Sequence, residues 1–485
     1  MAEGPSDVRT AGRGVLWITA AKAYFMVAGY AIEFGLARLL GVDVFGVYKL
    51  VVGGISVLDN TIVTGTIQGI SKFTSEDEAR ADAIKRAALR MQLLVGGGAA
   101  AGYALLAPLL ASFLGDASLT PLLRLSCVVV FCYAFYSVFV GSANGLKRFH
   151  VQAGLDMTYS TLRAALTLGL AAIGLGAKGA IGGFAAASAL ILAVAAVWVG
   201  PGRGGEPFPA RRLGAFTGRL LLYTLLLNLL MLVDLFVLKR AASWAATGTY
   251  AAAQTLARIP YQGIISIAFV VFPLVSRAVF DQDSERARAY VGQTMRATLL
   301  FCAALAAVFV ACPAGLLRLL YHREEFLSAE PALVILAPGH VMFALIVIGN
   351  TILNAAGRTR DALASVAGTC ALAAGAVSAA VFLSAEDRVS VAAAAAQTSS
   401  MAVGLVVVLL CLRRRFSAGL PFATSLRSAA ALVAAIAVGR MIPDGGAVRT
   451  LIECALAFAT FVGTLALLRE FTGEDRTRLR RILGR

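Results

Sequence analysis

The chain has 485 residues, 59% of them hydrophobic and only 14% charged, with a mean hydropathy of +0.81. A soluble domain carries about a quarter charged residues, and the polar stretches at 201–212 and after Arg469 are too short to bury a core, so a sizeable soluble domain is excluded. The net charge of +16 raises nucleic acid as a partner, but the basic residues lie between apolar segments, where membrane topology accounts for them.

A helix that crosses a bilayer needs about 20 apolar residues. In chain order such segments fall near 14–37, 45–71, 86–111, 121–145, 152–173, 179–200, 215–238, 247–273, 291–317, 331–355, 361–383, 389–412, 425–442 and 448–468. The sequence therefore predicts an all-α membrane protein with about fourteen transmembrane helices. The first segment is too long for the apolar part of a signal peptide and lacks a convincing cleavage site, so it reads as a retained helix. The third, eleventh and twelfth are rich in Ala and Gly, as closely packed membrane helices are. Arg440 and Pro443 mark a short turn between the last two.

Basic residues concentrate in cytoplasmic loops. With the N-terminus inside, the inner segments carry Arg9 and Arg13, then Lys72, Arg80, Lys85, Arg86 and Arg90, then Lys147 and Arg148. Arg203, Arg211, Arg212 and Arg219 follow, and the pattern continues through Arg286, Arg358 and Arg413 to the tail, Arg476 to Arg485. Outer segments are sparsely charged. The alternation predicts both termini inside, with the tail against anionic lipid rather than nucleic acid. The seven cysteines form no CxxC pair and there are three histidines. No metal site or disulfide framework is expected, and the cysteines read as lipid- or core-facing.

The two halves echo each other. Phe45-Gly46-Val47-Tyr48 enters the second segment as Thr247-Gly248-Thr249-Tyr250 enters the eighth. The fourth segment ends in Asn144-Gly145-Leu146-Lys147-Arg148, and the tenth in Asn354-Ala355-Ala356-Gly357-Arg358-Thr359-Arg360. The shared order predicts two pseudo-symmetric six-helix lobes, 1–200 and 201–412, followed by 413–485 with two additional helices and a basic tail. Parallel repeats in a transporter place substrate between the lobes.

The run Ala37-Arg38-Leu39-Leu40-Gly41-Val42-Asp43-Val44-Phe45-Gly46-Val47-Tyr48 resembles the ARxLGxxxFGxY signature of bacterial polysaccharide-biosynthesis exporters, and the turn after Asn354 resembles their Asn-x-x-Gly-Arg-x-Arg element. These exporters, O-antigen flippases among them, belong to the multidrug/oligosaccharidyl-lipid/polysaccharide (MOP) superfamily with lipid II flippases and MATE exporters. The resemblance implies a V-shaped cavity and alternating access. It also implies an oligosaccharide on undecaprenyl pyrophosphate as substrate, moved across the cytoplasmic membrane.

Ionisable residues at bilayer depth usually face a cavity or a partner. Lys22 and Glu33 share nearly one face of the first segment. Gln152, Asp156, Tyr159 and Arg163 form a stripe on the fifth, either a cavity wall or a packing pair such as Asp156–Arg163. Gln254, Arg258 and Tyr261 or Gln262 share a face of the eighth, where Pro260 permits a bend. Arg suits a pyrophosphate because its planar fork donates two parallel hydrogen bonds; pairing with Asp234 is the other reading of Arg258. Asn350, Asn354 and Asn228 suit sugar hydroxyls or interhelical glue, with glue favoured. Arg38 and Lys49 read as interfacial snorkels, and Glu453 is a further buried acid. The substrate-binding candidates are thus Lys22, Arg163, Arg258, Gln254, Asn350 and Asn354. The candidates for holding a coupling ion or balancing charge are Glu33, Asp59, Asp156 and Asp234.

No GxxxxGK[ST] loop, H-E-x-x-H or Ser–His–Asp spacing is present, so no catalytic site and no ATP hydrolysis are expected. No cofactor is expected beyond a coupling proton or sodium ion. Expected partners are a lipid-linked glycan, membrane lipids, and a polymerase or glycosyltransferases of the same pathway. A cation-coupled multidrug exporter and a lipid II flippase are the alternatives. A membrane-embedded glycosyltransferase fits poorly with the short outer loops.

Overall fold

The computed structural model describes residues 5–203, 208–442 and 445–471. Expectations that fall on Pro443 and on the arginines from Arg476 to Arg485 lie outside these residues. Every regular element described is a helix. In a bilayer this follows from elementary chemistry, since a helix satisfies its backbone donors and acceptors internally where no water is available.

Two compact units are Met1–Leu232 and Val233–Arg485. The first holds α1 (Pro5–Leu40), α2 (Val42–Glu76), α3 (Ala81–Phe113), α4 (Thr120–Gly145), α5 (Phe149–Leu170), α6 (Gly176–Trp198) and α7 (Ala210–Leu230). Within it α4 packs along α2 and α3, α1 lies on α5, α6 contacts α4 and α5, and α7 lies on α2. The second holds α8 (Val233–Ala241), α9 (Trp244–Ala257), α10 (Ile259–Phe280), α11 (Ser284–Ala311), α12 (Pro313–Tyr321), α13 (Glu330–Ala355), α14 (Thr359–Leu383), α15 (Val389–Phe416), α16 (Phe422–Arg440) and α17 (Ala447–Leu467). There α13 is central, touched by α9, α10, α11 and α15; α14 packs on α15 and α8, and α16 and α17 pack on each other and on α11.

Each predicted segment has a helical counterpart. Among the described residues, however, eleven helices are long and apolar enough to cross a membrane, or twelve if one bent pair is a single span, against the fourteen expected. Two places account for much of the difference, and a third breaks a segment without shortening it below a span. The fifth and sixth segments run on as one stretch of 50 residues, Phe149–Trp198. At about 1.5 Å per residue that is about 75 Å, more than twice a hydrocarbon core. Its interruption is the turn Ala171–Leu175, where Gly174 (φ 90°) and Gly176 (φ 55°) adopt backbone that other residues resist. The seventh segment is bent by 45° between α7 and α8. The eighth segment is divided at Arg258, where α9 ends and α10 begins with Pro260 in its first turn, and α10 is itself 22 residues long.

Close approach is built from small residues. A side chain at Gly183 of α6 would strike the backbone of Leu166 on α5, and one at Gly349 of α13 would strike Val408 of α15. The paired sequence motifs match in their local backbone. Gly46 and Gly248 are each buried in the second turn of α2 and α9. After Asn144, Lys147 N donates to Asn144 O and Arg148 N to Ala143 O; after Asn354, Gly357 N donates to Asn354 O and Arg358 N to Leu353 O. Both are the same left-handed helix stop, with Lys147 at φ 57° and Gly357 at φ 74°.

The additional helices are fastened at Glu470, just past α17. Its carboxylate accepts from Arg296 Nε of α11 at 2.7 Å, from Thr424 Oγ1 at 2.7 Å and from Arg427 Nη1 of α16 at 2.8 Å. Its side chain is 1% exposed. Burial alone would raise its pKa, but the hydrogen bonds from Arg296, Arg427 and Thr424 outweigh this and hold it below the usual glutamate range.

Candidate functional site

The polar residues of the first unit form one cluster on α1, α2, α4 and α5. Lys22 Nζ lies 3.5 Å from Asp156 Oδ2, and Tyr136 donates to Asp156 Oδ1 at 3.3 Å. Asp156 thus pairs across helices with Lys22, and the expected Asp156–Arg163 pair is not what the geometry shows. Two turns along one helix are about 10 Å, too far for a short carboxylate to close when Lys22 is nearer. Glu33 pairs with Lys49 of α2 at 2.8 Å. Lys49 is 14% exposed, so it is a buried partner rather than a snorkel, because Glu33 supplies the counter-charge at depth.

Arg163 lies over the Phe184 ring, 4.0 Å from its centroid, and its Nε meets no acceptor among the described residues. It is within electrostatic reach of Glu33, Tyr48, Tyr133, Tyr159 and Asp59. Asp59, midway along α2, is 6% exposed, and its Oδ1 meets no donor among the described residues. Tyr133 packs on Tyr136 and Tyr159 at centroid distances of 5.4 and 5.0 Å. These rings exclude water around the charges and sharpen their interactions. Lys22 differs from the rest, because its side chain is 62% exposed.

In the second unit Asp234 opens α8 just after the bend and is fully buried. Tyr250 donates to Oδ2 at 2.7 Å, Gln254 Nε2 to Oδ1 at 2.8 Å and to Oδ2 at 3.0 Å, and Leu235 N to Oδ1 at 2.9 Å. Gln254 therefore spends its amide on Asp234. Arg258, at the break before α10, is within electrostatic reach of Asp234, Tyr250, Tyr261 and His340. Asn350 is fully buried on α13, and among the described residues neither of its amide atoms nor Asn354 Oδ1 meets a hydrogen-bond partner. Asn228 accepts from Asn60 at 3.4 Å and donates to Thr224 O, a packing contact inside the first unit.

Sequence reasoning named the charged members of both clusters but passed over Tyr133, Tyr136 and the partnership of Lys49. Only Tyr250 carried a usable signal, through its place in the repeated turn. No group of three metal-ligating side chains occurs among the described residues.

Residues 35–326, more than half of the chain, match the profile of the family described as polysaccharide biosynthesis protein. The chain belongs to that family. No curated protein matches it in sequence. A solved structure of the lipid II flippase MurJ, in an inward closed conformation, superposes with a TM-score of 0.76 at 12% identity, covering 97% of this chain and 100% of that one. An outward-facing MATE-family multidrug transporter of the MOP superfamily gives 0.64 at 16% identity, covering 83% of this chain and 95% of that one. A MOP-superfamily transporter from Pyrococcus furiosus gives 0.60 at 17% identity over the same shares. At these identities the likeness is one of fold. The protein is a multi-pass helical membrane protein with the MOP-superfamily fold.

Proposed function

We propose that this protein is a flippase that moves a lipid-linked oligosaccharide, carried on a polyprenyl pyrophosphate such as undecaprenyl pyrophosphate, across the cytoplasmic membrane by alternating access, and that it is not an enzyme. The observation that carries the reading is Lys22. An ammonium exposed at bilayer depth does not face hydrocarbon, so that flank of α1 borders water or an anionic ligand. Lys22 shares its cluster with Arg163, whose fork has an unused donor. Basic groups at depth on a scaffold of the polysaccharide biosynthesis family suit the phosphates of a lipid carrier better than a cationic drug.

The coupling ion in this reading is a proton on Asp59. Glu33 and Asp156 already have cationic partners, whereas Asp59 has an oxygen with no donor. In the second unit Arg258 and Asn350 are the ligand candidates. Both termini lie in the cytoplasm, and the glycan polymerase or glycosyltransferases of the pathway are the protein partners.

A second reading, lipid II as substrate, is favoured by the 97% coverage against the lipid II flippase. The MATE structure leaves about a sixth of the chain unmatched, and a multidrug exporter is correspondingly less well supported. The deciding experiment is depletion of the protein followed by analysis of lipid-linked glycans on the cytoplasmic leaflet. Accumulation of a polysaccharide repeat unit supports the first reading, accumulation of lipid II supports the second, and no accumulation rejects both.

A further inference from the structure

Cys312 ends α11, immediately before Pro313 opens α12. Its Sγ lies 3.7 Å from Sγ of Cys454 on α17, a separation of 142 positions in the chain. Both thiols are free. Cys312 is 2% exposed, while Cys454 lies on a half-buried flank of its helix. Small residues hold the backbones together here: Ala311 and Ala457 pack around the two sulfurs, Gly439 of α16 sits on Ala311, and Gly315 of α12 sits on Thr450 of α17.

We propose that Cys312 and Cys454 are a reversible dithiol–disulfide site that ties α17 to the α11–α12 corner of its own unit. A disulfide needs sulfurs about 2.05 Å apart. The sulfurs must therefore close by somewhat under 2 Å. The oxidant is a small-molecule or protein disulfide, R–S–S–R. The Cys454 thiol gives up its proton and attacks one sulfur of R–S–S–R; that bond breaks and the leaving thiolate takes the proton to become R–SH. Cys312 then attacks the mixed disulfide at the Cys454 sulfur, forming the internal bond and releasing the second R–SH. Two electrons pass from the cysteine pair to the oxidant, and reduction by a dithiol reverses the sequence. In the orientation proposed above this end of α17 faces the outer, oxidising side, where such bonds persist.

The test uses the full-length protein in membranes, treated with hydroxyethyl disulfide or left in dithiothreitol. The samples are denatured, alkylated, reduced, and labelled with a maleimide polymer that reports each newly freed thiol as a gel shift. The expected result is two thiols protected by oxidation in the wild type and at most one, held as the mixed disulfide with the reagent, in Cys312→Ser or Cys454→Ser. Cys302→Ser, on the same helix, keeps both. A second measurement does not depend on the serine variants folding. With a protease site inserted in the connection at 384–388, the two fragments of oxidised, cleaved protein stay joined until reduced. Full alkylation after oxidation, fragments that part without reductant, or two thiols still protected in Cys312→Ser each overturns the proposal.

Discussion

At the scale of the residue, the first unit has a charge balance that turns on Asp59. Lys22, Lys49 and Arg163 face Glu33, Asp59 and Asp156, and a proton on Asp59 leaves one positive charge over. Proton and anion binding are then reciprocal. Wild-type affinity for farnesyl pyrophosphate should rise about tenfold as pH falls, while Asp59→Asn should hold the acid-side affinity throughout. Calorimetric titration of both proteins at each pH cancels the ligand's own titration, and a constant ratio between them would remove Asp59 from coupling. In the second unit, Arg258→Ala should abolish glycan export by folded protein and Arg258→Lys should restore part of it, because a point charge replaces the fork. The double change Arg258→Ala/Asp234→Ala should not rescue, since Tyr250 and Gln254 would lose their shared acceptor; rescue in an export assay would make Arg258 a structural partner. Glu470 makes a pH prediction of definite sign. Its folded pKa is lowered, so its stabilisation is present above about pH 4.3, the ordinary glutamate value, and is lost as pH falls through the folded value. At pH 7 Glu470→Gln should cost about 1–3 kcal/mol, and melting curves of the two proteins should converge under acid. The sequence showed which ionisable residues sit at depth, because charge in an apolar run is conspicuous. It did not show that Glu33 meets Lys49 or that Asp156 meets Lys22, because helix periodicity fixes a face but not the neighbour across it.

At the scale of the element, the helices were legible and their breaks only partly so. Pro260 announced the interruption at Arg258. The bend between α7 and α8 lies in Leu230-Met231-Leu232, where nothing marks it; a tertiary demand, the burial of Asp234 among Tyr250 and Gln254, falls just beyond it. The turn between α5 and α6 falls at the gap, 174–178, that the sequence left between its fifth and sixth segments, and Gly174 and Gly176 lie within that gap. Gly176 at φ 55° and ψ −141° is in a region other residues enter only at a cost of about 1–3 kcal/mol. Gly176→Ala should therefore lower the melting temperature of the purified protein by several degrees. Gly182→Ala, at φ outside that region on the same helix, should not. Equal effects would show that space rather than backbone conformation sets the glycine there.

At the scale of the whole molecule, the alternation of basic loops predicts that positions 80, 148, 288 and 358 share the cytoplasmic side. Single cysteines placed there in a cysteine-free background should resist a membrane-impermeant thiol reagent applied to intact cells; labelling at two or more would reject the orientation. Within each unit a helix crossing closes on a glycine, Gly183 against the backbone of Leu166 and Gly349 against the branched side chain of Val408, and neither leaves room for a Cβ. The consequence is genetic. A glycine codon is one base change from several larger residues, so random mutagenesis should collect temperature-sensitive alleles at these crossings. Changes at Lys22 or Arg258 should instead appear as clean loss of function at every temperature. The distribution of conditional alleles along the gene would then trace the helix crossings, and the unconditional ones the path of the substrate.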